Sequence, residues 1–451
     1  MAPIEAKLHL IIGSSCLGML AVGANGTAIM AALPTIRDDL GLDAAELEWA
    51  VNAYLIASAA CIILGGKVAD RAGAQRTSLC GLFLFAAASV VIATAGSPLW
   101  LLAGRTLQGL GAAFAVPGTL AAVGTSSSPD HRASAIGAWA GFLMVGFSVG
   151  PLMGGALTHY LGWRVIFWFV ALAMLIAASG FLGAKSSDEP AKANLSGGFD
   201  WAGCLLLAGV MTSSVLTLHG LGNVRKAPWA FVVPLVANSA TLVLFVLAER
   251  RAREPFVDLA AFSSPMFRHA LLVGSIAMFC ILSFLLYFNL DAQSPNGLSV
   301  TAVGAGLCLL PMSAGLLALA LLAPLLVRRF GPRTVLTCAM MLIVIASAVI
   351  ATSAANRSFF PLLGGLFVIG AGLALPYATA PRLALSALPP GQSGQSSGIV
   401  NACTFLGGSM GVTGGAIAYA LGGLPLVMAL LAGAALVGVM VSLRMPQLAP
   451  S

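Results

Sequence analysis

The sequence predicts an all-α integral membrane protein of about fourteen transmembrane helices. Of its 451 residues, 59% are hydrophobic and only 8% charged, whereas a soluble domain carries roughly a quarter charged residues to face water. Mean hydropathy is +0.98. The apolar residues also fall in unbroken runs, each long enough to cross a hydrocarbon core about 30 Å thick as a helix rising 1.5 Å per residue. The runs do not alternate as barrel strands do.

In order, the runs cover 9–33, 48–66, 77–96, 98–121, 134–158, 163–184, 200–221, 228–248, 268–290, 302–327, 333–354, 359–381, 395–420 and 422–443. The first is too long for a signal-peptide core and lacks a cleavage-like site, so it is expected to remain as a helix. Connections are short. The longest, 185–198 and 249–266, leave no room for a soluble domain. All eight cysteines lie inside apolar runs with no CxxC or Cys/His spacing, so neither a disulfide framework nor a metal site is expected. No cofactor motif appears. Gly394, Ser396 and Gly398 match a nucleophile-elbow spacing, but they open an apolar helix with no preceding strand to hold an elbow. An enzyme is not expected.

Orientation follows from basic residues in alternate connections. Of 22 Lys and Arg, Arg105 lies within a run, and Arg37, Arg164, Arg225, Lys226 and Arg357 fall on one side. The other sixteen fall on the opposite side. Both termini are therefore expected in the cytoplasm, in a multi-pass protein of the cytoplasmic (inner) membrane. The net charge of +7 is this topological bias, and no nucleic-acid partner is implied.

The chain repeats itself. After the second run come Gly66, Asp70, Arg71, Gly73 and Arg76; after the tenth, a degenerate copy with Arg328, Arg329, Gly331 and Arg333. The fourth run holds Gly109, Gly111 and Pro117, the twelfth Gly370, Gly372 and Pro376. The fifth carries Gly150, Pro151, Gly154 and Gly155, the thirteenth Gly407, Gly408, Gly411, Gly414 and Gly415. Runs 2, 4 and 5 thus match 10, 12 and 13. Two six-helix halves with two helices inserted between them explain the offset. The expected divisions are a half over 1–184, a linker with the inserted pair over 185–265, and a second half over 266–451.

These motifs resemble the major facilitator superfamily, specifically its fourteen-helix drug:proton antiporter branch, over nearly the whole chain. Gly137, Gly146, Gly150, Pro151, Gly154 and Gly155 reproduce the antiporter glycine–proline signature with every spacing intact. The resemblance implies that this helix seals and hinges the halves. Small residues on one face let another helix approach closely. The set Gly66, Asp70, Arg71, Gly73 and Arg76 is similar to the superfamily's gating motif, which implies contacts that bias outward- against inward-facing states. Arg105, Gln108, Gly109 and Gly111 are similar to its intramembrane arginine motif, which implies a role in proton coupling. A guanidinium in a span usually faces the protein interior or a water-filled cavity. Arg105 sits only about seven residues inside its run, so snorkelling to the interface is the competing reading. Ala32, Leu33 and Pro34, Trp163 and Arg164, and Asp200, Trp201 and Gly203 are concordant anchors and caps.

The chain departs from the pattern in its first run, where Asn25 precedes Thr27 and holds the place of the family's acid. All 15 Asp and Glu lie in connections or at run ends. Asn25 hydrogen-bonds but cannot titrate, so with Arg105 as the main intramembrane charge a neutral or anionic substrate is expected. Another proton carrier is then needed. Asp291, beside Asn289 at the end of the ninth run, is the candidate by depth, with a connection carboxylate as the bland alternative; His219 and Asp70 are further titratable groups. Asn25, Thr27, Asn52, Tyr54, Tyr287, Asn289, Tyr377 and Asn401 are polar groups at span level that suit either a cavity lining or helix–helix contacts. The resemblance implies a secondary transporter exporting a small drug-like or secondary-metabolite molecule by proton antiport. Its partners would be substrate, bilayer and protons, and its working form a monomer. A facilitator or importer of a neutral or anionic metabolite, and more remotely a membrane sensor, are the alternatives.

Overall fold

The computed structural model describes residues 2–184, 200–222, 224, 227–252, 257, 259–356, 358–387 and 393–446. Residues 185–199, with Lys185 and Lys192, and Arg225, Lys226, Arg253 and Arg357 lie outside them, as does the side chain of Ser396. No strand occurs among the described residues. The helices are α1 (Ala2–Leu40), α2 (Ala44–Ala72), α3 (Ala74–Ala93), α4 (Pro98–Ser126), α5 (Pro129–Leu161), α6 (Arg164–Gly183), α7 (Trp201–Leu221), α8 (Trp229–Arg251), α9 (Pro265–Gln293), α10 (Ala302–Cys308), α11 (Leu310–Phe330), α12 (Pro332–Ala355), α13 (Phe359–Ser386) and α14 (Ser393–Leu443).

Thirteen of these helices are long and apolar enough to cross a membrane. The apolar stretch of α14, 46 residues, would reach about 69 Å at 1.5 Å per residue, twice a hydrocarbon core. It bends back at Gly422 (φ −159°, ψ 22°) and Gly423 (φ 62°, ψ −158°), and the second of these conformations is open essentially to glycine alone. It therefore crosses twice, which makes fourteen crossings among the described residues. The tenth run, predicted as one helix, is divided into α10 and α11 at Leu309. Pro311 explains the division: its ring displaces the carbonyl of residue 307 and it supplies no N–H to continue the ladder.

Helix starts follow their cap residues. Asp43 and Glu46 form a reciprocal capping box on α2, with bonds of 2.7 and 3.0 Å that satisfy two otherwise orphaned N–H groups. Asp200 accepts from Gly203 N at 2.8 Å and caps α7, as the sequence suggested. Ser97 caps α4 ahead of Pro98.

The chain divides into two compact units, Met1–Phe199 and Asp200–Ser451. In the first, α1 packs on α5 and α6, and α4 on α2 and α3. In the second, α9 packs on α14, and α13 on α11 and α12. The pair α7–α8 belongs to the second unit, with α7 against α14. Ser213 and Ser214 of α7 both donate to Asn238 Oδ1 of α8 at 3.1 Å. Such bonds hold helices together where both choices, lipid or neighbour, are equally apolar.

The repeat is legible in backbone detail. Gly73, between α2 and α3, has φ 97° and ψ 144°; Gly331, between α11 and α12, has φ 76° and ψ 154°. Both lie where a side chain is strained. A Cβ on Gly109 would land on the Tyr54 carbonyl of α2, and one on Gly370 on the Met312 carbonyl of α11. A Cβ on Gly111 would stand 2.6 Å from the Phe85 backbone of α3, and one on Gly372 2.9 Å from Ala339 and Ile343 of α12. The same glycine pair lets α4 and α13 each press against two neighbours.

Candidate functional site

In the first unit the glycines of α5 form a seam with α1. Added Cβ atoms at Gly146, Gly150 and Gly154 would meet the Leu20 carbonyl, the Thr27 hydroxyl and the Ala28 carbonyl. These positions recur every fourth residue and so share one helix face. Gly23 of α1 reciprocates against the Leu143 carbonyl. Thr27, 0% exposed, donates to the Phe147 carbonyl at 3.2 Å and so ties the two helices together. Pro151 lies inside α5, and Gly155 is buried on the same helix. The second unit repeats the device: Gly407, Gly411 and Gly415 of α14 face Ser275, Phe279, and Ser283 with Tyr287, all on α9.

Elsewhere in this unit, three predicted residues converge. Arg105 on α4 is 1% exposed, and Asn25 and Gln108 are fully buried. Arg105 Nε donates to the Ala50 carbonyl at 2.7 Å and Nη1 to Gln108 Oε1 at 2.7 Å. Its guanidinium carbon stands 4.6 Å from the centre of the Tyr54 ring, a cation–π contact. The group is thus turned into the bundle rather than out to the interface. Gln108 Oε1 also accepts from Asn25 Nδ2 at 3.4 Å, while Gln108 Nε2 donates to Asn25 Oδ1 at 3.2 Å and to Ser89 Oγ at 2.8 Å. Both acceptor and both donor positions of the Gln108 amide are therefore filled. Four helices meet in this one network: α1, α2, α3 and α4.

Other predicted residues lie on α9 of the second unit and around Gly73 in the first. In the second unit Tyr287 is 3% exposed, donates from its hydroxyl to the Val412 carbonyl at 2.7 Å, and packs on Tyr419 at 5.4 Å between ring centres. Asp291, half-buried, hydrogen-bonds Tyr419. It lines a cavity of about 280 Å³ with Asn296, Gly297, Leu298, Ala354, Leu424 and Pro425. Asn289 is fully buried, with Nδ2 donating to the Leu285 carbonyl at 2.7 Å. Of the predicted gating set, Gly66, Asp70 and Arg71 fall in the C-terminal part of α2 and Arg76 in the first turn of α3, with Gly73 alone between the helices; Asp70 and Arg76 are exposed, and Gly66 and Arg71 partly buried. No metal-binding cluster of His, Cys, Asp and Glu occurs among the described residues.

Three residues have roles the sequence did not single out. Ser89 has no signal beyond being polar within an apolar run. Gln75 anchors the α2–α3 connection by donating to the Phe181 carbonyl at the end of α6. Glu48, counted with the run-end acids, is only 2% exposed within α2 and accepts from Asn52 Nδ2 at 3.1 Å. Its signal was the i, i+4 spacing of an acid and an amide. At the far end of α1, Asp39 accepts from Trp163 Nε1 at 3.0 Å and Arg164 Nη1 at 2.7 Å, which gives the predicted Trp163 and Arg164 anchor its partner.

A multi-crossing helical chain built twice from one plan, with a guanidinium sealed inside one of its units, has the design of a membrane carrier. The chain belongs to the Major Facilitator Superfamily, whose sequence profile it matches over residues 15–412 and again over 296–450. That family consists of transporters, not enzymes. The chain is 32% identical over 410 residues to the drug efflux pump JefA of Mycobacterium tuberculosis, covering 90% of this chain and 79% of the pump. It is 29% identical to the tetracenomycin C resistance and export protein of Streptomyces glaucescens, covering 87% of this chain and 72% of that protein. With the puromycin resistance protein pur8 of Streptomyces alboniger identity is 28%, over 87% and 78% of the two chains. Among solved structures, an auto-inhibited POT family peptide transporter superposes with a TM-score of 0.68 over 98% of both chains at 17% identity, which shows a common fold.

Proposed function

We propose that this chain is a secondary transporter that exports a small drug-like or secondary-metabolite molecule by proton antiport with alternating access. It works as a monomer in a bacterial cytoplasmic membrane with both termini inside. The sixteen-to-five split of basic residues supports that orientation. The observation that carries the reading is the Arg105 network: a permanent cation inside a spanning bundle is costly and marks a transport path. Its immediate partners, Gln108, the Ala50 carbonyl and Tyr54, are uncharged, so the positive charge is available to a neutral or anionic substrate. The relatives named for drug efflux, tetracenomycin C export and puromycin resistance support the export direction. The test compares accumulation of tetracenomycin C, puromycin and a set of neutral and carboxylate-bearing aromatic compounds in cells with and without the protein, each with and without an uncoupler. Export reduces accumulation, and the uncoupler restores it. Unchanged accumulation across the set sinks export; reduction that survives the uncoupler sinks proton coupling.

A further inference from the structure

The repeat leaves one place filled in the first unit and open in the second. In the last turn of α1, Asp39 accepts from Arg164 Nη1 at 2.7 Å, and Arg164 Nη2 donates to the Ala95 carbonyl just beyond α3 at 2.9 Å. A guanidinium thus joins the ends of α1 and α3. The turn before it sets its position: Gly162, with φ 87°, follows α5, and Trp163 and Arg164 come next. In the second unit the positive-φ glycine is Gly423, with φ 62° at the bend of α14, and Leu424 and Pro425 come next. Pro425 therefore stands in the register of Arg164. The surrounding helices match as well. Like α1, α9 carries an acid in its last turn, Asp291. Helix α12, which starts after Gly331 as α3 starts after Gly73, brings Ala354.

In place of a guanidinium, the second unit has a cavity of about 280 Å³, whose lining includes Asp291, Asn296, Ala354, Leu424 and Pro425. The Tyr419 hydroxyl donates to the Asp291 carboxylate, and the Tyr419 ring packs on Tyr287, so the acid is oriented from within the unit. Gly297 closes over it: a Cβ there would stand 3.0 Å from Asp291 Oδ2 and collide with the Asp291 carbonyl. No ion pair to Asp291 occurs among the described residues.

We propose that this cavity is a binding site for a small organic cation bearing a guanidinium group, with Asp291 as its counter-ion. The planar fork of a guanidinium matches a carboxylate with parallel N–H donors, as a point charge does not. The side-chain amide oxygen of Asn296 can accept a further N–H. Leu424, only 2% exposed, and Pro425 offer apolar surface to a short alkyl stem. The volume lies at the lower edge of pockets that take small molecules. In the orientation proposed above, the cavity opens outside the cell. It is separate from the Arg105 network, which lies in the other unit, and it stands whether or not transport is proton-coupled.

The test is calorimetric titration of the full chain in lipid nanodiscs with propylguanidinium, which copies the arginine side chain, and with its neutral isostere propylurea. The native protein should bind the cation saturably at millimolar concentration or below, and should not bind the urea. Asp291→Asn should weaken the cation at least about ten-fold, the loss of about 1.4 kcal/mol of charge-assisted hydrogen bonding. Pro425→Arg, which restores the residue of the first unit, should abolish binding while its thermal unfolding midpoint stays at or above the native one. Asp38→Asn, which removes an exposed acid of the first unit, should bind as the native protein does. Native-like binding in Asp291→Asn or in Pro425→Arg overturns the site, as does equal binding of the two probes or none at millimolar concentration. If Asp291→Asn does not fold, Pro425→Arg decides. Arg357, outside the described residues but the basic residue nearest Ala354 in sequence, supplies a last control. Binding that arises only in Arg357→Ala assigns the cavity to the chain's own cation and overturns an external ligand.

Discussion

Thr27 Oγ1 occupies the space that a side chain on Gly150 would fill, and from there it donates to the Phe147 carbonyl at 3.2 Å. The glycine–proline set on α5 is therefore, in the first instance, a condition for seating α1. Gly150→Ala must displace Thr27 or open the seam, whereas Gly137 on the same helix has nothing within 4 Å of its Cβ position. Overpacking of this kind costs about 1–3 kcal/mol. Thermal unfolding in detergent should show Gly150→Ala clearly destabilised and Gly137→Ala near native. Equal shifts in the two would mean that the seam is not tight.

Gly73→Ala and Gly331→Ala test the repeat at its turns. Each glycine has a positive φ, and Gly331 has open space around its Cβ position, so the penalty is backbone strain, of order 1–3 kcal/mol. Both substitutions should lower the unfolding midpoint by similar amounts. A large effect at Gly73 with none at Gly331 would show that the two connections are not equivalent in the folded protein.

The helical architecture was readable because its physical cause is one-dimensional: a run of apolar residues reports a crossing wherever it occurs. The repeat was readable for a related reason, since glycine marks close approach and positive φ, and Gly73, Gly331, Gly109 and Gly370 stand at those places in both units. Within the site, the motif spacing of Arg105 and Gln108 was visible, but that Asn25 and Ser89 complete the Gln108 amide depends on how four helices pack. Thr27 illustrates the same limit. As a polar residue at span level it suited a cavity or a helix contact equally, and only the position of α5 decides its partner. Glu48 was hidden by its place at the start of an apolar run, where an acid is ordinarily a solvated cap. Burial there comes from neighbours distant in sequence.

Gln108→Leu removes an amide that satisfies three side chains at once. Arg105 Nη1, Asn25 and Ser89 would each lose a hydrogen bond to it, and an orphaned buried polar group costs about 1–3 kcal/mol, more when charged. Gln108→Leu should thus be destabilised well beyond Ser89→Ala, which takes only one bond from the amide. The two variants, compared by thermal unfolding, should also differ in transport, with Gln108→Leu severely impaired because Arg105 loses the side chain that orients it. Similar stability in both would refute the amide as the hub.

Asn25→Asp tests whether the charge of Arg105 sets the expected preference against cations. The Asn25 amide both donates to and accepts from Gln108, at 3.4 and 3.2 Å. An ionised carboxylate at this position could only accept, so it would face Gln108 Oε1 with like polarity and turn that amide. It would also bring a negative charge close to the Arg105 guanidinium, with only the Gln108 side chain bridging the two. Two consequences oppose each other: the network loses a bond, which costs about 1 kcal/mol, while the isolated positive charge is neutralised. The functional outcome follows from the second. Export of a lipophilic cation such as tetraphenylphosphonium should rise relative to that of a carboxylate-bearing compound, by on the order of ten-fold for about 1.4 kcal/mol of altered charge interaction. Accumulation of both probes in cells expressing native or Asn25→Asp protein measures the ratio. If the ratio does not move while the variant remains folded and active, Arg105 does not set the charge preference of the transport path, and the expectation of a neutral or anionic substrate falls with it.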